Sequence, residues 1–292
     1  MARETAASRT ARAVQAPGTG SRADVFRRLL AKQRPLVMGV LNVTPDSFSD
    51  GGRFVDPQAA IAQARRLVAE GADILDIGAE STRPYGDAVR VSLEEERVRL
   101  EPVLSEVIAL GVPVSIDTLK ASVATWALDH GAAMVNDVWG LQGDPDMARL
   151  VGGRGSPIVV MHNREQVDSK IDIVADVTAF FERSLDIAAR AGVAREQIVL
   201  DPGIGFGKTP EQSLACIARL DAWRGFGLPL LVGASRKRFI HSVTPSDPLQ
   251  RLGGSLAAHL LAVENGAAMV RVHDVGPTVQ ALAVAAAIRN AR

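Results

Sequence analysis

Residues 38–52 read Met38-Gly-Val-Leu-Asn-Val-Thr-Pro-Asp-Ser-Phe-Ser-Asp-Gly-Gly52, and the stretch changes character partway along. The run 36–41 that enters it is apolar throughout, the composition of a strand buried on both faces. At Asn42 it breaks into a polar segment bearing Pro and Gly that no core would accommodate. A strand whose far end opens into Asn, Thr, Asp and Ser delivers polar groups to a site, because loops at strand ends carry function on a rigid scaffold.

The same alternation continues outward from this point. From Pro35 onward short β-branched, apolar runs take turns with longer amphipathic stretches. Strands are expected at 36–41, 74–77, 114–116, 134–135, 158–161, 198–200, 230–232 and 269–272. Helices are expected near 57–70, 93–110, 120–130, 145–152, 175–191, 210–223, 248–265 and 277–290. Eight of each within residues 35–292 is the size and count of a (β/α)8 TIM barrel, an α/β fold in one domain. An open doubly wound sheet is the alternative, but the glycine fingerprint that follows its first strand is absent. Asp56-Pro57 and Asp247-Pro248 place a capping side chain before a proline pre-set for the first helical position. Thr209-Pro210-Glu211-Gln212 reads as a capping box.

Composition bounds the partners. The chain has 292 residues, 47% hydrophobic and 23% charged, with no net charge, which is an ordinary globular balance. Residues 1–34 hold eight basic side chains against Glu4 and Asp24, so the remainder has an acidic excess, and nucleic acid is not expected as a partner. This opening segment is expected to be a flexible basic tail, with only residues 26–30 hinting at amphipathicity. Its first twenty residues share the composition of a mitochondrial transit peptide, which an unstructured tail explains equally well. The single cysteine, Cys216, lies among Leu214, Ile217 and Leu220 and reads as a small buried hydrophobe in place of a nucleophile. One cysteine fits a reducing compartment, no run reaches the length of a membrane span, and a cytoplasmic location with no membrane partner is expected.

The positions of the polar residues carry most of the functional information. They gather just past the proposed strands: Asn42, Glu80-Ser81-Thr82-Arg83, Asp117-Thr118, Asn136-Asp137, His162-Asn163, Asp201, Ser235-Arg236-Lys237 and Arg271-Val-His273-Asp274. In a TIM barrel these ends converge on one face, and that face holds the active site. Any one of them could be a helix cap; Asp117, ahead of a helix, is the plainest case. Eight on one face are hard to explain that way.

At this point the chain resembles the dihydropteroate synthases of folate synthesis, a pterin-binding TIM-barrel family. Its motifs follow in family order: MGVLNVTPDSFSDGG (38–52), GADILDIGAESTRP (71–84), VSIDT (114–118), VND (135–137), MH (161–162), DPGIGFGKT (201–209), SRK (235–237) and RVHD (271–274). Two loops depart from the usual pattern, at Tyr85-Gly86 and at Met161-His-Asn-Arg-Glu-Gln. The resemblance implies a transferase that joins p-aminobenzoate to 7,8-dihydropterin-6-ylmethyl diphosphate by an SN1-like route, releasing diphosphate. It also implies a homodimer and an enzyme of the kind that sulfonamides target.

The residue types suit that chemistry. By resemblance Asp117, Asn136, Asp201 and Lys237 form the pterin pocket, with Met161 as a further pterin residue. Carboxylates can accept from the ring N–H groups, the Asn amide can do both, and Lys237 is a cationic donor. Arg271 and His273, two apart on one strand, point to the same side. With Asn42, Thr82 and Arg83 they make a plausible diphosphate cradle, and Mg2+ held partly by Asn42 would follow that ion's habit of taking few protein ligands. Phe206, Ser235 and Lys237 supply part of a p-aminobenzoate pocket that Thr82 and Pro84 complete. The expected catalytic groups are Lys237, Arg271 and His273. Gly203-Ile-Gly205-Phe-Gly207-Lys208-Thr209 fails as a phosphate loop, because Pro202 stands where the first glycine is required. No HxH or HExxH pairing supports zinc. A pterin-binding methyltransferase domain and a non-catalytic pterin-binding homologue are the alternatives; Ser81-Thr82-Arg83-Pro84 with Arg271 and His273 favours the synthase.

Overall fold

The computed structural model describes residues 21–44, 56–80 and 91–291, and these form the expected TIM barrel. Strands β1 (Leu36–Asn42), β2 (Ile74–Gly78), β3 (Val114–Asp117), β4 (Met134–Asp137), β5 (Ile158–Met161), β6 (Ile198–Asp201), β7 (Leu231–Val232) and β8 (Met269–Val272) run parallel. They lie in the order β6-β5-β4-β3-β2-β1-β8-β7. The ring is completed between β6 and β7 by a single parallel bridge, Leu200 to Leu230. Helices α1 (Arg22–Leu30), α2 (Pro57–Ala69), α3 (Leu93–Ile108), α4 (Ala121–Asp129), α5 (Met147–Arg154), α6 (Ile173–Arg190), α7 (Pro210–Ala218), α8 (Arg238–Val243), α9 (Leu252–Glu264) and α10 (Val275–Asn290) complete the described chain.

Period-2 alternation splits each strand between two cores. Val37, Leu41, Leu75, Ile77, Ile116, Val135 and Val160 face outward and pack with the helices. Leu36, Met38, Ile74, Met134, Val159, Val199, Leu231 and Met269 fill the inside of the barrel at its amino end. Several strands run further than the apolar pattern suggested. Asn42, Gly78, Asp117, Asn136 and Asp201 belong to the ladder itself, with Asp117 in register with Gly78 and Asn136, and Met161 with Asp201. The site residues therefore sit on hydrogen-bonded backbone.

The flexible tail expected over residues 1–34 needs correction. Residues 1–20 lie outside the described residues, but Arg22–Leu30 form α1, opened by a Ser21–Asp24 capping box. Its Phe26 and Leu29, one helical turn apart, are buried against the amino-end layer inside the barrel. Without them that layer would face water; covering it stabilises the fold by about 1.5–3 kcal/mol per side chain. The basic residues that made the segment look like a tail are anchors. Arg22 donates to Leu128 O at 2.6 Å and Ala132 O at 3.0 Å, while Lys32 and Arg34 both pair with buried Asp73.

The expected helices also changed in two places. The segment 210–223 is α7 followed by a 3-10 turn (Leu220–Phe226), and 248–265 is a 3-10 turn (Pro248–Gln250) followed by α9. Arg251, at the second break, is held by Ser246 O and Arg236 O.

Candidate active site

Inside the carboxyl end of the barrel the inward positions become charged. Asp76 on β2 and Asp117 on β3 share the guanidinium of Arg271: Nε donates to Asp76 Oδ2 at 2.6 Å and an η nitrogen to Asp117 Oδ2 at 2.8 Å. The Asn136 amide donates to the same Asp76 oxygen at 2.9 Å, which fixes which way it points. Gly78 is the inward neighbour of Asp117, and a Cβ there would sit 3.4 Å from Asp117 Cβ, in ordinary van der Waals contact. Asp76 Oδ1 and Asp117 Oδ1 are buried with no hydrogen-bond partner among the described residues. Buried acceptors in that condition suit a ligand that brings N–H donors. Burial pushes Asp117 up to about 7 against the pull of Arg271. Burial alone would lower Arg271, and Asp76 and Asp117 more than reverse it.

The second wall comes from the β6–α7 and β7–α8 segments. Burial pushes Asp201 up to about 6, although its Oδ1 accepts from Gly203 N at 2.7 Å. Lys237 reaches Ile204 O at 2.7 Å, and its ammonium lies 4.0 Å from the centre of the Phe206 ring. Burial pushes Lys237 down to about 7, with Asp201 opposing the shift. Met161 is buried on β5 beside Asp201. Asp117, Asn136, Met161, Asp201, Phe206 and Lys237 are thus all at the carboxyl end.

At the rim, Arg271 and His273 bond to different partners. Arg271 turns to the carboxylates of β2 and β3, two anions in a buried setting. His273 instead places Nδ1 3.0 Å from Ser235 Oγ, which also accepts from the His273 backbone N–H at 3.2 Å. Burial, helped by Arg271, pushes His273 down to about 3, so the ring is neutral. Asn42 ends β1, half-buried and in register with Gly78. Thr82, Arg83 and Pro84, with Tyr85 and Phe48, lie outside the described residues.

Other polar strand ends serve the scaffold. Asp137 accepts from Trp139 N at 2.9 Å and Leu141 N at 2.6 Å, closing the turn after β4. Arg236 and Asp274 form a two-bond ion pair. Glu80 pairs with Lys120, which also meets buried Glu96. Cys216 is buried and burial pushes its thiol up to about 11, as expected of a hydrophobe and not of a nucleophile.

Two groups were missed in the sequence. Asp76 sits inside an apolar strand, and the signal was there: a carboxylate on an inward position of a buried strand requires a cationic partner. Lys208 was passed over with the rejected phosphate loop. It is 1% exposed and lies 2.6 Å from His162 Nδ1.

Residues 38–273 match the family described as pterin binding enzyme. The chain is 45% identical over 245 residues to a dihydropteroate synthase of Bacillus subtilis, covering 84% of this chain and 85% of that one. It superposes with a TM-score of 0.84, at 44% identity, on a Clostridium difficile dihydropteroate synthase crystallised in the presence of pteroic acid, covering 88% of this chain and 97% of that one. A Xanthomonas albilineans dihydropteroate synthase with 4-aminobenzoic acid is equally similar, with a TM-score of 0.84 at 44% identity, covering 88% and 94%.

Proposed function

The chain belongs to the pterin-binding enzyme family, and within it to the dihydropteroate synthases, and from that premise we propose how its own residues divide the work. It is a transferase of folate biosynthesis that condenses 7,8-dihydropterin-6-ylmethyl diphosphate with p-aminobenzoate to give 7,8-dihydropteroate and diphosphate. The observation that carries our assignment is the charged floor of the mouth, where Asp117 holds a buried carboxylate oxygen without a partner among the described residues.

The pterin edge lies against Asp117, Asn136 and Asp201, whose oxygens accept its N–H groups, with Met161 beside the ring. Because Asp76 takes the Asn136 amide N–H, Asn136 turns its carbonyl toward the ligand. Lys237 donates to the ring carbonyl and N5. Arg271 ion-pairs with Asp76 and Asp117, and its charge opposes the burial that raises Asp117, so its part is to favour the accepting form of that carboxylate. The bond between the pterin methylene and the diphosphate oxygen breaks with its electron pair on the diphosphate. The unprotonated arylamine nitrogen then forms the C–N bond and its proton passes to water. With Ser235 donating to Nδ1, His273 presents Nε2–H to the departing anion, alongside Asn42, Thr82 and Arg83. Phe206, Ser235, Lys237, Thr82 and Pro84 receive p-aminobenzoate.

The donor set fits Mg2+. Asn42 offers one amide oxygen, and among the described residues no three His, Cys, Asp or Glu come together to hold a metal by themselves. An ion that keeps waters and takes phosphate oxygens suits that arrangement. When bound, it supplies positive charge beside the diphosphate. A second copy of the chain is the expected protein partner by family resemblance, and sedimentation should report a dimer. No helix among the described residues is long and apolar enough to cross a membrane. The function is tested by incubating the purified protein with both substrates and Mg2+. Formation of dihydropteroate is expected, and its absence would refute the reading.

A further inference from the structure

Behind the p-aminobenzoate wall lies a buried line of polar groups that the reaction steps do not use. Lys208 Nζ donates to His162 Nδ1 at 2.6 Å, to Gly203 O at 3.0 Å and to Phe206 O at 3.1 Å. Three acceptors match the three N–H groups of an ammonium. His162 sets its Nε2 2.9 Å from Asp176 Oδ2 on α6. Burial, with Lys208 adding to it, pushes His162 down to about 2, so the neutral ring accepts at Nδ1 and donates from Nε2. The line therefore runs from an anion through a fixed imidazole tautomer to a buried cation.

The loop that Lys208 grips has little stiffness of its own. Gly203, Gly205 and Gly207 all have positive φ, at 66°, 81° and 56°. It is also wedged: a Cβ on Gly203 would lie 1.9 Å from His162 O, and one on Gly207 would lie 2.5 Å from Arg164 Cβ. Two groups of the loop meet Lys237 on the opposite side, the Ile204 carbonyl and the Phe206 ring. An apolar side chain at 208 would fill the same buried space with no charge to desolvate, so the cation is there for the acceptors it gathers.

We propose that Lys208 is a positioning residue for the second substrate: anchored by His162 and Asp176, it draws the Gly203 and Phe206 carbonyls together and thereby sets the Phe206 ring against Lys237, without touching either substrate. Of the pterin acceptors, Asp117 and Asn136 stand on β3 and β4, away from this loop, and Asp201 meets it through the Gly203 N–H at 2.7 Å; the Phe206 ring serves p-aminobenzoate, so the larger effect falls on that substrate.

The inference rests on Phe206 lining the p-aminobenzoate side, and the experiment separates the two. Steady-state kinetics with each substrate varied, and calorimetric pterin binding, are measured for Lys208→Met, Asp176→Asn, Phe206→Ala and the double variant Lys208→Met/Phe206→Ala. We expect Lys208→Met to raise KM for p-aminobenzoate about tenfold while pterin affinity stays within about twofold. Asp176→Asn should shift KM the same way by about two- to threefold. In the Phe206→Ala background, Lys208→Met should add little, because the two act through one group. A rise in KM for Phe206→Ala with none for Lys208→Met overturns the inference and leaves the site reading intact. No effect of Phe206→Ala removes the reading itself. Equal losses for both substrates make Lys208 merely structural and also overturn the proposal. Should Lys208→Met fail to fold, Asp176→Asn decides: a selective rise in KM for p-aminobenzoate supports the proposal, and an unselective change or none defeats it.

Discussion

The two ends of the barrel interior are built by the same eight strands with opposite chemistry. At the amino end the inward positions are Leu36, Met38, Ile74, Met134, Val159, Val199, Leu231 and Met269, sealed by Phe26 and Leu29 of α1. At the carboxyl end they are Asp76, Asp117, Asn136, Asp201 and Arg271, and Asp76 and Asp117 each have an acceptor without a partner among the described residues. One end gives up water and gains stability; the other keeps buried charge that a tighter core would not choose. The difference teaches that substitutions at the two ends should be separable by what they damage, and four experiments test that division.

The largest effect is expected from Arg271→Met. Removing the one partner shared by Asp76 and Asp117 leaves two buried carboxylates facing each other, a loss of about 3–5 kcal/mol. Denaturant unfolding should show that loss and calorimetry should show weakened pterin binding. A stable variant that still binds pterin would break the comparison at its centre. Phe26→Ala comes next, with about 3 kcal/mol of stability lost through the cavity and the exposed amino-end layer. Its kcat/KM at a temperature where it is folded should match the parent; a tenfold fall would mean that the two ends are coupled. Asp117→Ala should do the reverse, leaving the unfolding midpoint nearly unchanged while pterin affinity drops by about 1.5–3 kcal/mol, the scale for a hydrogen bond to a charged group. Unaltered affinity by calorimetry would take Asp117 out of the pocket.

The smallest effect is in pH dependence. Asp117 must be ionised to accept, and its pKa is raised to about 7, so its working form is lost as pH falls through that value. Lys237 must be protonated to donate, and its pKa is lowered to about 7, so its working form is lost as pH rises. The kcat/KM profile of the free enzyme should therefore be a narrow bell centred near neutrality, with limbs falling up to about tenfold per pH unit. A flat profile between pH 6 and 9 would show that neither group titrates where burial places it.

Sequence reading reached the carboxyl end better than the amino end. The polar residues after each apolar run marked the mouth, because a strand end that turns polar has few other uses. α1 was hidden by its own anchors: Arg22, Lys32 and Arg34 resemble a solvated tail until Asp73 and the α4 carbonyl groups are brought to them. Asp76 was overshadowed by Leu75 and Ile77: a carboxylate in that apolar run called for a cationic partner, but the run did not say that Arg271 would supply it. Lys208 was hidden by distance along the chain, because its acceptor His162 belongs to another β/α unit. The direction of the Arg271 side chain depends on Asp76, so the contact between them could not be read while Asp76 was overlooked.

The seam of the barrel has a consequence for substrate tolerance. β7 has only two residues, and one bridge at Leu200–Leu230 closes it on β6, whereas Asp117 and Asn136 of the pterin pocket stand on β3 and β4, each laddered on both sides. The segments that follow β6 and β7 carry Phe206 and Lys237, so the two flanks of the arylamine wall straddle the least-bonded junction of the sheet. Thermal breathing concentrates where backbone bonds are fewest. Amide deuterium uptake should accordingly be faster at Leu200 than at Ile116. The aperture for the amine can then widen for bulkier arylamines while the Asp117 and Asn136 side of the pterin mould keeps its shape.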